Sequence, residues 1–182
     1  LSKDESLTDF VTYSRRKHYV PLDAGFMHEY RDYYAFGKHR TVRMKVYALP
    51  VAETAYARIM QFIGACESDA AQMFNLFSMV TMPLFHGFRI YKAHNCMSFT
   101  ARILELSETV PMNKPYWRYD IHEMDRLLDG HLYFEGELER TDSPDYESYM
   151  EKPPFAKRLS VSAKTIITLT KRCVFARSRI ED

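Results

Sequence analysis

The sequence predicts an α+β domain, and three patterns carry that reading. Residues 41–49 alternate, with Val42, Met44, Val46 and Ala48 on one side and Arg43, Lys45 and Tyr47 on the other, the period of a half-buried strand. After Pro50, Ala52, Ala55, Tyr56, Ile59, Phe62, Ile63 and Cys66 recur at three- and four-residue steps, which is one face of a helix. Residues 120–130 carry an N-cap aspartate (Asp120), Glu123 three positions on and a stopping glycine (Gly130), with Ile121, Met124, Leu127 and Leu128 as the inner face of a short helix.

The remaining elements follow in order. The first forty residues are polar and Tyr-rich, with Pro21 and a turn at Gly25, and read as strands and loops. Residues 70–85 carry no charge but fall short of the ~20 residues that span a bilayer, so they read as a buried helix. Residues 88–93 read as a short strand after His86-Gly87, and a second helix runs from Asn95 or Cys96 to about Ser107. Pro111, Asn113 and Pro115 mark a loop, and residues 131–138 alternate as a strand. Residues 141–154, with Pro144, Pro153 and Pro154, read as a linker or long surface loop. The stretch 152–182 holds eight Lys+Arg and two acids, a net of +6 against −5 for residues 1–151, and its β-branched run 165–170 reads as a strand. Two parts result: a domain over 1–139 and a polar linker with a basic extension over 140–182.

Composition narrows the function classes. At 46% hydrophobic residues the 182-residue chain has enough apolar content for a core, and its 25 Lys+Arg against 24 Asp+Glu give no global reason to expect nucleic acid. Three cysteines do not make a disulfide scaffold and point to a reducing, cytoplasmic setting. No Gly-rich phosphate loop, Gly-x-Ser-x-Gly, Cys-x-x-Cys or His-Glu-x-x-His occurs, so no cofactor and no metal is expected. Helix capping accounts for Asp120 and Glu123 beside His122.

The local feature with most chemistry in it is His94-Asn95-Cys96-Met97-Ser98-Phe99. Asn95 is a good N-cap, which puts Cys96 in a first helical turn, where unpaired N–H groups and the dipole favour a thiolate nucleophile. The same residue also fits a structural role: Cys96, Phe99, Ile103 and Leu106 fall on one stripe, as buried cysteines commonly do. Cys66, on the inner face of its helix, reads as a small buried apolar side chain.

Residues 91–106 (YKAHNCMSFTARILEL) resemble the nucleophile helix of circularly permuted papain-fold proteins of the NlpC-type superfamily, which include YiiX-like amidases and the lecithin–retinol acyltransferase group. Asn95, Cys96 and the aromatic Phe99 carry the match, supported by Tyr13-Ser14-Arg15-Arg16, Gly25-Phe26 and Glu29, and by the order of elements over residues 1–139. The resemblance implies an antiparallel sheet packed on the Cys96 helix, and a cysteine hydrolase or acyltransferase acting on an amide or ester bond. Its substrate would be a small molecule, a lipid or a peptide, with no nucleic-acid partner and no transmembrane segment. In the permuted arrangement the catalytic histidine precedes the cysteine on an early strand, and residues 1–4 resemble the end of such a strand, which puts the matching position upstream of Leu1. Within the chain His28 precedes Cys96 and has Glu29 beside it as an orienting carboxylate, so His28 is paired with Cys96 as the catalytic candidate. His39 and His94 are the substitutes, and His18, among Arg15, Arg16 and Lys17, reads as solvated. The alternative is an inactive papain-fold binding module whose basic extension is the contact surface.

Overall fold

The computed structural model describes residues 9–141 and 144–176, so residues 1–4 lie outside the described residues. Strands β1 (Asp9–Arg15) and β2 (Ala24–Tyr30) form an antiparallel hairpin with Tyr13 opposite Phe26 and Val11 opposite His28. Alternation along the strands sends Tyr13, Phe26 and His28 to one face and Gly25, Met27 and Glu29 to the other. A 3₁₀ turn (Arg31–Tyr34) follows, then β3 (Thr41–Tyr47). Helix α1 (Glu53–Ser68) buries Ala55, Ile59 and Cys66 of its predicted face, but Tyr56, assigned to the same face, is 55% exposed.

The next stretch departs from the sequence reading. Residues 70–85 are predicted as one buried helix, yet they begin with β4 (Met73–Phe74), which pairs in parallel with β5 (Ala93–His94). The backbone N–H groups of Met73 and Asn75 donate to the carbonyls of Lys92 and His94, so this backbone is committed to a strand before a helix can start. Helix α2 (Leu76–Phe85) begins only after Asn75, whose side chain accepts from the Ser78 N–H. Nor is it buried throughout: Val80 is 65% and Leu84 76% exposed. The strand expected over 88–93 shrinks to a single bridge between Ile90 and Ala93 ahead of β5. Gly87 holds the turn between them at φ +78°, and a Cβ there would lie 2.2 Å from the Trp117 carbonyl, so only glycine fits this approach.

Helix α3 (Cys96–Ser107) and, after a 3₁₀ turn at Tyr116–Arg118, helix α4 (Ile121–Leu127) both start on complete capping boxes, Asn95 with Ser98 and Asp120 with Glu123. Met124 and Leu128 are buried as expected, while Ile121 is not, since it faces solvent in the first turn of α4. Strand β6 (Leu132–Glu139) returns antiparallel to β3, Thr41 opposite Glu139. Among the described residues the antiparallel pairs are thus two separate sheets, the β1–β2 hairpin and the long-range β3–β6 pair, with the parallel β4–β5 pair as a third.

The C-terminal part is helical where the sequence reads as loop and strand. Helix α5 (Pro144–Met150) occupies the expected linker and is tied down. Tyr149 is buried and stacks on Tyr33 at 4.2 Å, and its carbonyl accepts from the His18 N–H. The β-branched run 165–170 lies inside α6 (Phe155–Phe175). Its Leu169 is fully buried with Ile90 and Ala93, and that one anchor outweighs the strand propensity of Ile166 and Ile167, which point outward.

Among the described residues the core forms three small clusters, around Leu104 and Tyr119, around Tyr13, Cys66 and Phe99, and around Ile90 and Leu169. Phe99, 1% exposed, contacts Tyr13, Phe26 and Phe62 at ring distances of 5.0, 5.9 and 5.6 Å. Phe99→Ala is expected to cost about 3–5 kcal/mol in chemical denaturation. A loss under ~1 kcal/mol would show that this cluster does not hold α3 to the hairpin.

Candidate functional site

The start of α3 is built by hydrogen bonds that the sequence places locally. The Asn95 side chain accepts from the Ser98 N–H at 2.7 Å, while the Ser98 hydroxyl takes the Asn95 N–H at 3.0 Å, and both residues are buried. From the other side Asn75 donates its N–H to the His94 carbonyl at 2.8 Å and its Nδ2 to the Phe88 carbonyl at 2.9 Å. The strand-to-helix corner is therefore fixed at both ends, and Cys96 is the first helical residue beyond it.

Cys96 is exposed, and so is not the core residue that its stripe allowed, whereas Phe99 on the same helix is buried. Its thiol is nonetheless pushed above the ordinary range. Withdrawal from water by the surrounding protein is the largest cause, and the Glu29 carboxylate adds to it. The N–H groups of Met97 and Cys96 itself act the other way by donating to the sulfur. The helix start thus favours the thiolate as the sequence suggests, but crowding wins. Because the residue is exposed, solvent softens that upward push.

Glu29 is the neighbour that the sequence reading assigns to His28. It is 2% exposed, accepts from the Tyr34 hydroxyl at 2.7 Å, and its carboxyl is raised by burial against the hydrogen bonds from Tyr34 and Ser14. His28 lies on the opposite face of β2, where its Nε2 meets Glu67 Oε1 on α1 at 3.0 Å, both side chains being about half exposed. Period-two geometry separates adjacent strand residues, so the orienting carboxylate of His28 is Glu67 and not Glu29. His39 sits exposed in the turn before β3. His18 is not solvated as expected: its ring packs against Phe36 at 4.7 Å and Tyr19 at 4.9 Å, and burial lowers its pKa.

On the other side of the corner His94 and Ser98 line a cavity of about 630 Å³, together with Cys66, Arg89, Arg102, Tyr116 and Trp117. The His94 ring lies 5.3 Å from Tyr13, 5.7 Å from Phe62 and 6.0 Å from Tyr116, and its buried Nδ1 has no hydrogen-bond partner among the described residues. Burial, then Arg102 and Arg89, lower its pKa to about 4, so the imidazole is neutral at pH 7. The Arg89 guanidinium lies 5.0 Å over Trp117 and 5.9 Å over Tyr116, and Arg102 lies 5.4 Å over Tyr116 while paired with Glu105. None of Arg89, Arg102 and Trp117 carries a motif. They converge because Gly87 lets the 86–89 turn approach the Tyr116–Arg118 turn. No group of three or more metal-ligating side chains occurs among the described residues.

The His94 pKa makes stability depend on pH with a definite sign. The unfolded chain takes up this proton near pH 6.5 and the folded chain only near pH 4, so protons favour unfolding between these values. Stability from this residue is full above pH 6.5 and is lost progressively on acidification to about pH 4, on the order of 3 kcal/mol in all. His94→Phe should flatten that part of the stability profile measured by denaturant titration at each pH. An unchanged slope would contradict a neutral buried His94.

Compared with protein-family models, with curated proteins and with solved structures, the chain has no match in any of the three.

Proposed function

We propose that the chain is a cysteine hydrolase or acyltransferase of permuted papain type that attacks an amide or ester carbonyl through Cys96. The observation that carries this reading is the exposed thiol on the first residue of a helix that starts on a complete capping box. A thiol raised by its surroundings is protonated at rest, so the reaction needs a base. The sequence reading assigns that role to His28; its ring is held by Glu67 on the face of β2 opposite Glu29, so a bridging water would carry the proton from Cys96 to it. The base takes the Cys96 proton as sulfur bonds to the carbonyl carbon, and the carbonyl electron pair moves to oxygen. The N–H groups at the start of α3 are suited to hold that oxyanion. Collapse breaks the bond to the amine or alkoxide, which leaves with the proton. Water, or an acceptor nucleophile, then releases the acyl group from sulfur and restores the thiol.

Turnover of a p-nitrophenyl ester tests this. Cys96→Ala should lower kcat/KM by roughly a thousandfold or more, while circular dichroism stays that of the parent. His28→Gln should lower it by roughly tenfold to a hundredfold and remove the acidic limb of the pH–rate profile. Undiminished turnover in Cys96→Ala would overturn the nucleophile, and an unchanged pH profile in His28→Gln would overturn the base.

A second reading, a binding module, is favoured by the cavity, where two guanidiniums lie over Tyr116 and Trp117, whose rings meet edge-on, as in a pocket for a small aromatic anion. Trp117 is the only tryptophan of the chain and lines that cavity, so its emission reports occupancy directly. Phenyl phosphate should quench it saturably, with a Kd roughly tenfold weaker in Arg89→Gln. A linear, unsaturable response would contradict this reading.

A further inference from the structure

Helix α6 (Phe155–Phe175) has two sides that the other described residues leave exposed. It touches the body through Leu169 and Cys173, which join the cluster with Ile90 and Ala93, and through Arg172, whose guanidinium donates to the carbonyls of Tyr91 and Lys92. Away from this seam, Phe155, Leu159, Ile166, Ile167, Val174 and Phe175 are each between 43% and 81% exposed. At about 100° per residue the first five of these fall within an arc of roughly 120°, so they form one continuous apolar stripe. Lys157, Lys164 and Lys171 repeat every seventh residue along the exposed flank, and with Arg158 and Arg172 they make five cations and no anion in the whole helix.

We infer that α6 lies on an anionic lipid surface, its apolar stripe in the acyl boundary and its lysines on the headgroups. Charge decides the occupant. An apolar stripe alone would equally suit a second protein, but a row of three exposed lysines beside it, with no anion on the helix, matches phosphatidylserine-like or phosphatidylglycerol-like headgroups, which offer many negative charges in a plane. A nucleic acid would use the cations and leave the apolar residues in water. Lysine stems are long enough to cover the edge of the stripe while the ammonium groups stay at the surface. Helix α2 points the same way: it carries no charge, shares the Leu169 cluster through Leu76 and Phe77, and exposes Val80 and Leu84. No helix among the described residues is long and apolar enough to cross a membrane, so α6 lies on the bilayer and does not span it. This inference is independent of the thiol chemistry.

Co-sedimentation of the full chain with vesicles tests it, using phosphatidylcholine alone against phosphatidylcholine with about one-third phosphatidylserine. The chain should pellet with the anionic vesicles and hardly at all with the neutral ones, and added salt should release it. Leu159→Glu with Ile166→Glu should weaken binding roughly a hundredfold by putting charge into the stripe. Changing Lys157, Lys164 and Lys171 to Gln should weaken it by a similar factor and reduce the salt dependence. All these side chains are exposed, so thermal unfolding should be that of the parent, and Cys96→Ala should bind as the parent does. Absence of binding to anionic vesicles, or equal binding by the double-Glu chain, would overturn the inference. So would binding to a DNA duplex in place of vesicles, or a dimer in sedimentation analysis that the double-Glu change dissociates while vesicles are ignored.

Discussion

The arrangement depends on one aromatic contact, the packing of Tyr13 against Phe99. Tyr13 has no exposed surface, and its hydroxyl donates to Gln72 Oε1 at 2.8 Å just ahead of β4. Its ring meets Phe26, His94 and Phe99 at 5.9, 5.3 and 5.0 Å, so a single side chain ties β1 to β2, β5 and α3. Burying a large ring and leaving no polar atom unmet is worth several kcal/mol in a chain of this size. That packing ties the hairpin to the corner where α3 begins.

The corner itself sets out a contest between local and surrounding electrostatics. The helix start offers N–H groups that favour a thiolate, while crowding and the buried Glu29 favour the thiol. Glu29 itself accepts a hydrogen bond from the Tyr34 hydroxyl at 2.7 Å. The consequence is a thiol that is accessible but uncharged at rest. Two residues earlier, His94 meets a different environment. Burial and two guanidiniums hold it neutral, so one short segment presents a thiol to the surface and an imidazole to a cavity.

Much of this was legible in the sequence where the determining interactions are local. The capping boxes at Asn95 and Asp120 span three residues each, and the alternation over β3 and β6 needs only one buried face to be readable. What escaped was decided by distant partners. The β4–β5 pair is two residues on each side and exists because Asn75 reaches Phe88 and His94. The run 165–170 looks like a strand in isolation and becomes helix because Leu169 has a place to be buried. For the site, Cys96 was visible as a capped helix start, and the structure shows it exposed and not part of the core stripe. Glu67 as the partner of His28 was hidden because 39 residues separate them, although alternation along β2 already set Glu29 on the opposite face. Arg89 and Arg102 carry no pattern and are found only through the aromatic rings that they share.

The most direct measurement is the rate of alkylation of each cysteine against pH, resolved by peptide mass spectrometry in the native chain. Cys66 is buried and Cys173 half-buried, so both serve as references within the same molecule. The account predicts that Cys96 reacts first, with a midpoint at or above the ~8.5 of a free thiol. A Cys96 that reacts as slowly as Cys66 would contradict it, because a thiol closed to a small alkylating agent is closed to an acyl substrate.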